Sequence, residues 1–124
     1  MLAVSVRQPW AHAIIHMGKS IENRTWTPKY RGPLLIHVGK AMTKLDYEDF
    51  VDFVRRYPLG KVPLREALPR GGIIGRVDFV DTVSTSRSPW FNGPVGWKFR
   101  NSQALPFLPW KGQLTLFRVD AEEE

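Results

Sequence analysis

Hydrophobic and polar residues change their spacing several times along this chain, and each change marks an element. Leu2 to Val6 reads as a short first strand. Gln8-Pro9-Trp10 then opens a helix, with proline in the first turn where its missing N–H is not needed. Trp10, Ala13, Ile14 and Met17 fall at i, i+3, i+4 and i+7, which is one apolar face, and Gly18 suits the left-handed residue that stops a helix. From Ser20 to Trp26 the period becomes two. Ser20, Glu22, Arg24 and Trp26 share one side of the strand, and Ile21, Asn23 and Thr25 the other. After a turn over Pro28–Gly32 that carries Lys29, Tyr30 and Arg31, Leu34, Ile36 and Val38 alternate with Leu35 and His37 in a strand that should be well buried.

Thr43 is placed to cap a second helix, with Asp46 in its first turn and Tyr47, Phe50, Val51 and Val54 as its buried stripe. Pro58 to Gly72 is a connection punctuated by proline and glycine, with Lys61, Arg65 and Arg70 along it. Ile73 to Val80 is a strand, and Gly75 within it points to a bulge, a barrel corner or a close backbone approach. Thr82 to Pro94 is a polar loop containing Trp90, followed by strands near Val95–Phe99 and Gln113–Val119. No internal repeat or domain boundary is visible. The expected fold is α+β: a small β-barrel of five or six strands with two flanking helices over its open ends, and a ligand site in a mouth or cleft beside it. Residues 1–120 form the single domain, and residues 121–124 a short acidic tail.

Composition narrows the function classes. Hydrophobic residues make up 43% of the 124, enough for a packed core. There is no cysteine, which removes disulfides and thiol catalysis and argues against structural zinc. The start lacks a signal peptide, and no apolar run has the length of a membrane span, so a cytoplasmic location is expected. The formal charge is +6, and setting aside the three terminal glutamates leaves 18 basic against 9 acidic residues. A basic body with several tryptophans suits a polyanionic or nucleotide-like ligand.

The candidate chemistry gathers after the first helix. Lys19 follows the capping glycine, so its ammonium can swing over the helix end. Glu22 and Arg24 lie two apart on one strand face, where a carboxylate can lock a guanidinium for contact with phosphate or a base edge. Trp26 continues that row as a stacking surface. Arg7 and Arg31 would extend a basic rim. His37 reads as a satisfied core histidine, and His12 and His16 have metal-like spacing without a third ligand. No metal or cofactor is expected, and no catalytic triad, phosphate loop or dinucleotide fingerprint occurs.

Taken together, Ser5-Val6-Arg7-Gln8-Pro9-Trp10, Lys19-Ser20-Ile21-Glu22-Asn23-Arg24-Thr25-Trp26, Arg31-Gly32, Leu34 to Ala41, Gly71-Gly72-Ile73-Ile74-Gly75-Arg76-Val77-Asp78 and Trp110-Lys111-Gly112 resemble an ASCH domain, of the activating-signal-cointegrator homology family in the PUA-like superfamily. The resemblance implies a β-barrel with a cleft for RNA or a modified nucleoside, lined by Gln8, Trp10, Lys19, Glu22 and Arg24. It also implies two enzymatic alternatives. Some small members are N4-acetylcytidine amidohydrolases that use a lysine, a threonine and a glutamate, and others are ribonucleases. Lys19 matches the amidohydrolase lysine, but Glu22 stands where the threonine belongs.

The leading expectation is therefore a monomeric module that binds RNA, a nucleoside or a nucleotide in a basic cleft. In the alternative reading as a small hydrolase, Glu22 is the general base and Lys19 stabilises an oxyanion. A protein-interaction module using the acidic tail and the Trp90 loop is a third reading.

Overall fold

The segments with period-two patterning become strands, and the two segments with helical patterning become helices. In the computed structural model, which describes residues 1–120, the strands are β1 (Leu2–Ser5), β2 (Ile21–Arg24), β3 (Gly32–Val38), β4 (Gly72–Val83), β5 (Val95–Pro109) and β6 (Leu116–Arg118). The helices are α1 (Trp10–His16) and α2 (Lys44–Arg56), and a 3-10 turn spans Arg65–Ala67. The acidic tail expected at 121–124 lies outside the described residues. Among these residues no helix is long and apolar enough to cross a membrane.

The strands form one sheet in the order β2-β5-β4-β3-β1-β6. Only β1 and β3 pair in parallel; the remaining pairs are antiparallel. The expected α+β class holds, but the sheet is open and not a closed barrel. Its edge strands β2 and β6, four and three residues long, are not neighbours. Such short edges offer few ladder bonds with which to close a cylinder. A side chain spans part of the opening instead: the Arg24 Nη2 on β2 donates to the Ser5 carbonyl of β1 at 2.6 Å, across three intervening places in the strand order.

The main core gathers Val4, Val6, Ile14, Leu34, Ile36, Val77 and the aromatic group Phe79, Trp97 and Phe99. Phe79 and Trp97 stack with ring centroids 4.9 Å apart, and Phe99 meets Phe79 edge-on at 5.8 Å. A second cluster (Ala3, Leu35, Ile73, Phe117 and Val119) draws on the alternate positions of β1 and β3. The third contains Ala13, Phe50, Val54 and Trp90, and so joins α1, α2 and the loop before β5. Helix α2 begins with a reciprocal cap: Thr43 Oγ1 accepts from the Asp46 N–H, and Asp46 Oδ2 accepts from the Thr43 N–H, each at 3.0 Å. Of its expected stripe, Phe50 and Val54 are buried and Tyr47 and Val51 only partly. His37 is satisfied at both ring nitrogens, with Ser5 Oγ 2.8 Å from Nδ1 and the Trp110 carbonyl 2.7 Å from Nε2.

The departures from expectation have local causes. β5 runs on through Arg100–Pro109, where polar residues and two prolines obscure the strand pattern. Beyond Lys98 its second edge is no longer paired with β2, so proline costs no ladder bond there. Trp90 is buried because the loop folds it against Phe53, centroids 5.2 Å apart. Gly75 sits at register shifts on both sides of β4, and a Cβ there would lie 2.5 Å from the Gln103 carbonyl and 2.6 Å from Ile15 Cδ1.

That contact predicts that Gly75→Ala destabilises the domain by about 2 kcal/mol in urea unfolding; an unchanged midpoint would show that β5 can retreat freely. A second expectation concerns acid. The Thr43 backbone N–H, followed by the Thr43 hydroxyl and the Arg7 charge, holds the Asp46 carboxyl below its ordinary 3.8 against a smaller opposing effect of burial. The resulting stability is present above that value and is lost as pH falls through the lowered folded-state pKa. Asp46→Asn should therefore be less stable than the parent near neutrality, with the gap closing below about pH 4. A gap that stays constant down to pH 2 (roughly where such carboxylates finish titrating) would contradict this.

A basic cleft with an aromatic wall

The site is built on the turn between α1 and β2. Gly18, at φ +72°, reverses the chain after α1, and the Lys19 N–H returns to the Ala13 carbonyl at 3.0 Å. This folds the Lys19 side chain inward until only 3% of it is exposed. Its ammonium donates to the Ile21 carbonyl and, at 2.9 Å, to Glu22 Oε1. The other carboxylate oxygen, Glu22 Oε2, lies 3.2 Å from Arg24 Nη2. The Arg24 guanidinium carbon is 5.5 Å from the Trp97 ring centroid, and its buried Nε has no hydrogen-bond partner within the protein. One carboxylate thus fixes two cations, and the row keeps one net positive charge in a partly desolvated setting.

Above this floor lies a cleft of about 850 Å³. Trp10, from α1, and Phe53, Arg56 and Tyr57, from the end of α2, form one side. Trp10 is held edge-on by Phe50 and Phe53 at 5.0 and 5.6 Å. Pro89 to Asn92 also line the cleft. Asn23 anchors that loop: its Oδ1 accepts from the Asn92 and Gly93 N–H groups at 2.7 and 3.0 Å, and its Nδ2 donates to the Trp90 carbonyl at 3.0 Å. The 82–94 segment therefore borders the cleft along Pro89–Asn92.

Of the residues singled out by sequence, Arg7, Trp10, Lys19, Glu22 and Arg24 meet at this cleft. Arg7 stands at its rim with its Nη1 3.2 Å from Asp46 Oδ1. Gln8, Trp26 and Arg31 are elsewhere. Gln8 is buried under the start of α1, accepting from the His12 N–H at 2.9 Å and donating to the Pro69 carbonyl at 3.0 Å. Trp26 fails to extend the Glu22–Arg24 row because β2 ends at Arg24. Its ring packs edge-on to Trp97 at 5.1 Å, and its carbonyl accepts the Trp97 indole N–H. Arg31 donates to the Pro28 and Tyr30 carbonyls and covers the Phe79 ring at 4.7 Å.

Sequence reasoning did not select Asn23, Phe53, Arg56 or Tyr57. The only signal for Arg56 was a basic last turn on α2, which a helix C-terminus favours anyway. Away from the cleft, the His12 and His16 rings are 4.8 Å apart beside a small cavity that includes Pro69 and Phe107. Burial, then the His16 charge, lowers the His12 pKa. Among the described residues no three His, Cys, Asp or Glu side chains come together as a metal site.

An open, curled α+β sheet with a cation–carboxylate row beneath a cleft is the class of structure in hand. The model of the ASCH domain family matches residues 4–103, and the chain belongs to that family. It is 27% identical over 131 aligned positions to the human protein Activating signal cointegrator 1, an alignment covering 96% of this chain but 22% of that protein's length. In fold it is similar to the crystal structure of ASCH from Zymomonas mobilis, with a TM-score of 0.56, 14% identity, and coverage of 98% of this chain and 89% of that one. A tyrosine-to-phenylalanine mutant of the same bacterial protein gives the same TM-score and identity, with 91% of that chain covered.

The row also makes a stability prediction. Glu22→Ala leaves the buried Lys19 ammonium with a carbonyl but no counter-charge, and should cost about 3 kcal/mol. A Lys19→Met, Glu22→Leu double variant should be less destabilised than Glu22→Ala alone, because no charge is left stranded. Chemical denaturation of the two variants decides this; a double variant that is the worse of the two would refute it.

Proposed function

We propose that this domain binds RNA, or a nucleotide-like ligand, in the cleft and releases it unchanged. The observation that carries this reading is the Lys19–Glu22–Arg24 row, fixed at the floor of an 850 Å³ cleft with aromatic side chains around it. Fixed cations suit a phosphate or a carbonyl oxygen, and aromatic faces suit a base. Arg56 adds a cation with no acidic partner among the described residues. Membership in the ASCH domain family agrees with an RNA-binding role. In this reading Arg24 and Arg56 contact phosphate or a base edge, Glu22 orients Arg24, and Trp10 or a neighbouring ring stacks on a base.

The hydrolase reading is weaker on the same geometry. Both Glu22 oxygens are already engaged by cations, which leaves neither free to take a proton from water without breaking a contact.

Anisotropy titration with a short single-stranded RNA, alongside chromatography of N4-acetylcytidine and RNA after incubation, tests both readings. The parent should bind RNA in a salt-sensitive manner and yield no product. Arg24→Ala should weaken binding by about 1–3 kcal/mol, and Trp10→Ala by a comparable amount. Release of cytidine or RNA fragments, lost in Lys19→Ala, would replace the binding reading with an enzymatic one.

A further inference from the structure

We infer that the cleft is one end of a longer track, and that its ligand is a single strand of nucleic acid continuing over a second group of cations, Lys111, Lys40 and Arg70. This rests on the reading of the cleft as a nucleic-acid site. The connection is made by Ser5, which lines the cleft and accepts Arg24 through its carbonyl. On its other side Ser5 touches the segment after β5: a Cβ on Gly112 would lie 2.8 Å from Ser5 Oγ and 2.6 Å from the His37 ring. Lys111 precedes Gly112 on a strap that meets β1 at the Ser5 side chain and is pinned by the His37–Trp110 hydrogen bond of 2.7 Å.

The strap leads directly to the other two cations. The Trp110 N–H donates to the Gly71 carbonyl at 3.1 Å. The Lys40 side chain lies over Gly71, 3.4 Å from where a Cβ would be, and Arg70 Nη1 donates to the Lys40 carbonyl at 3.2 Å. Lys40, Arg70 and Lys111 are all exposed, and none has an acidic partner among the described residues. The backbone contacts bring the three residues to one surface, and a polyanion laid across it meets like charges without an acidic partner among the described residues. An acidic peptide would satisfy these charges equally well, but not the rings in the cleft with which the track is continuous. A nucleic-acid strand satisfies both, with bases at one end and phosphates along the whole length.

The test compares a uridine dinucleotide, a dodecameric oligouridine and a poly-glutamate peptide of similar charge across a salt series. The proteins are the parent, a Lys40→Ala, Arg70→Ala, Lys111→Ala triple variant and Arg24→Ala. All three track residues are exposed, so the triple variant should melt like the parent. Its affinity for the dodecamer should fall roughly ten- to a hundredfold, and the slope of log affinity against log salt should shrink by about 2, near 0.7 per lost phosphate contact. Dinucleotide affinity should stay unchanged in the triple variant and fall in Arg24→Ala. If parent and triple variant bind the dodecamer alike, or the peptide competes as well as the dodecamer, the track is overturned while the cleft reading stands. If Arg24→Ala binds both oligonucleotides like the parent, the cleft reading fails first, and the track with it.

Discussion

Much of this molecule depends on one carboxylate. Glu22 holds Lys19 and Arg24 in place at once, and through Arg24 it connects the edge strand β2 to the end of β1. A buried lysine is costly without a counter-charge, so the row forms as a unit or not at all. Because Arg24 also lies over Trp97, the aromatic centre of the core, the charged row and the hydrophobic interior share a boundary and are positioned together. The polar part of the site is thus built into the fold and is not attached to its surface.

The aromatic part of the site is assembled differently. Trp10 comes from the first helix, Tyr57 from the end of the second, and Phe91 from a loop more than thirty residues further on. Phe50, Phe53 and Trp90 pack these pieces together, and Asn23 fastens the loop to β2 with three hydrogen bonds. One face of β2 therefore presents the charges while its other face secures the wall, which is the alternation of a strand put to two uses.

That division explains what could be read in the sequence. Lys19, Glu22 and Arg24 are close in sequence and obey local rules, a glycine stop and a period of two, so their meeting was legible. The same rule extended one step too far placed Trp26 in the row, because nothing in the residues marks β2 as ending at Arg24. Gln8 was expected in the cleft only through the family resemblance; tertiary contact with Pro69 buries it instead. Phe53, Arg56 and Tyr57 were invisible as site residues since only the packing of α2 on α1 turns them toward β2. Openness of the sheet was equally hidden: strand count is a local property, whereas closure depends on how far two edges lie apart in space.

The open sheet has its own consequence. Its two flanks, β1 and the Arg7 that follows it on one side and β2 with Glu22 and Arg24 on the other, are joined across the cleft by the Arg24–Ser5 side-chain hydrogen bond. A molecule lodged there touches both flanks and acts as a removable staple along a seam that the backbone leaves unsewn. Occupancy and folding are then linked: whatever fills the cleft favours the folded chain in proportion to how far its concentration exceeds its dissociation constant. The proposed binding cleft and a join made by a side chain are the same place.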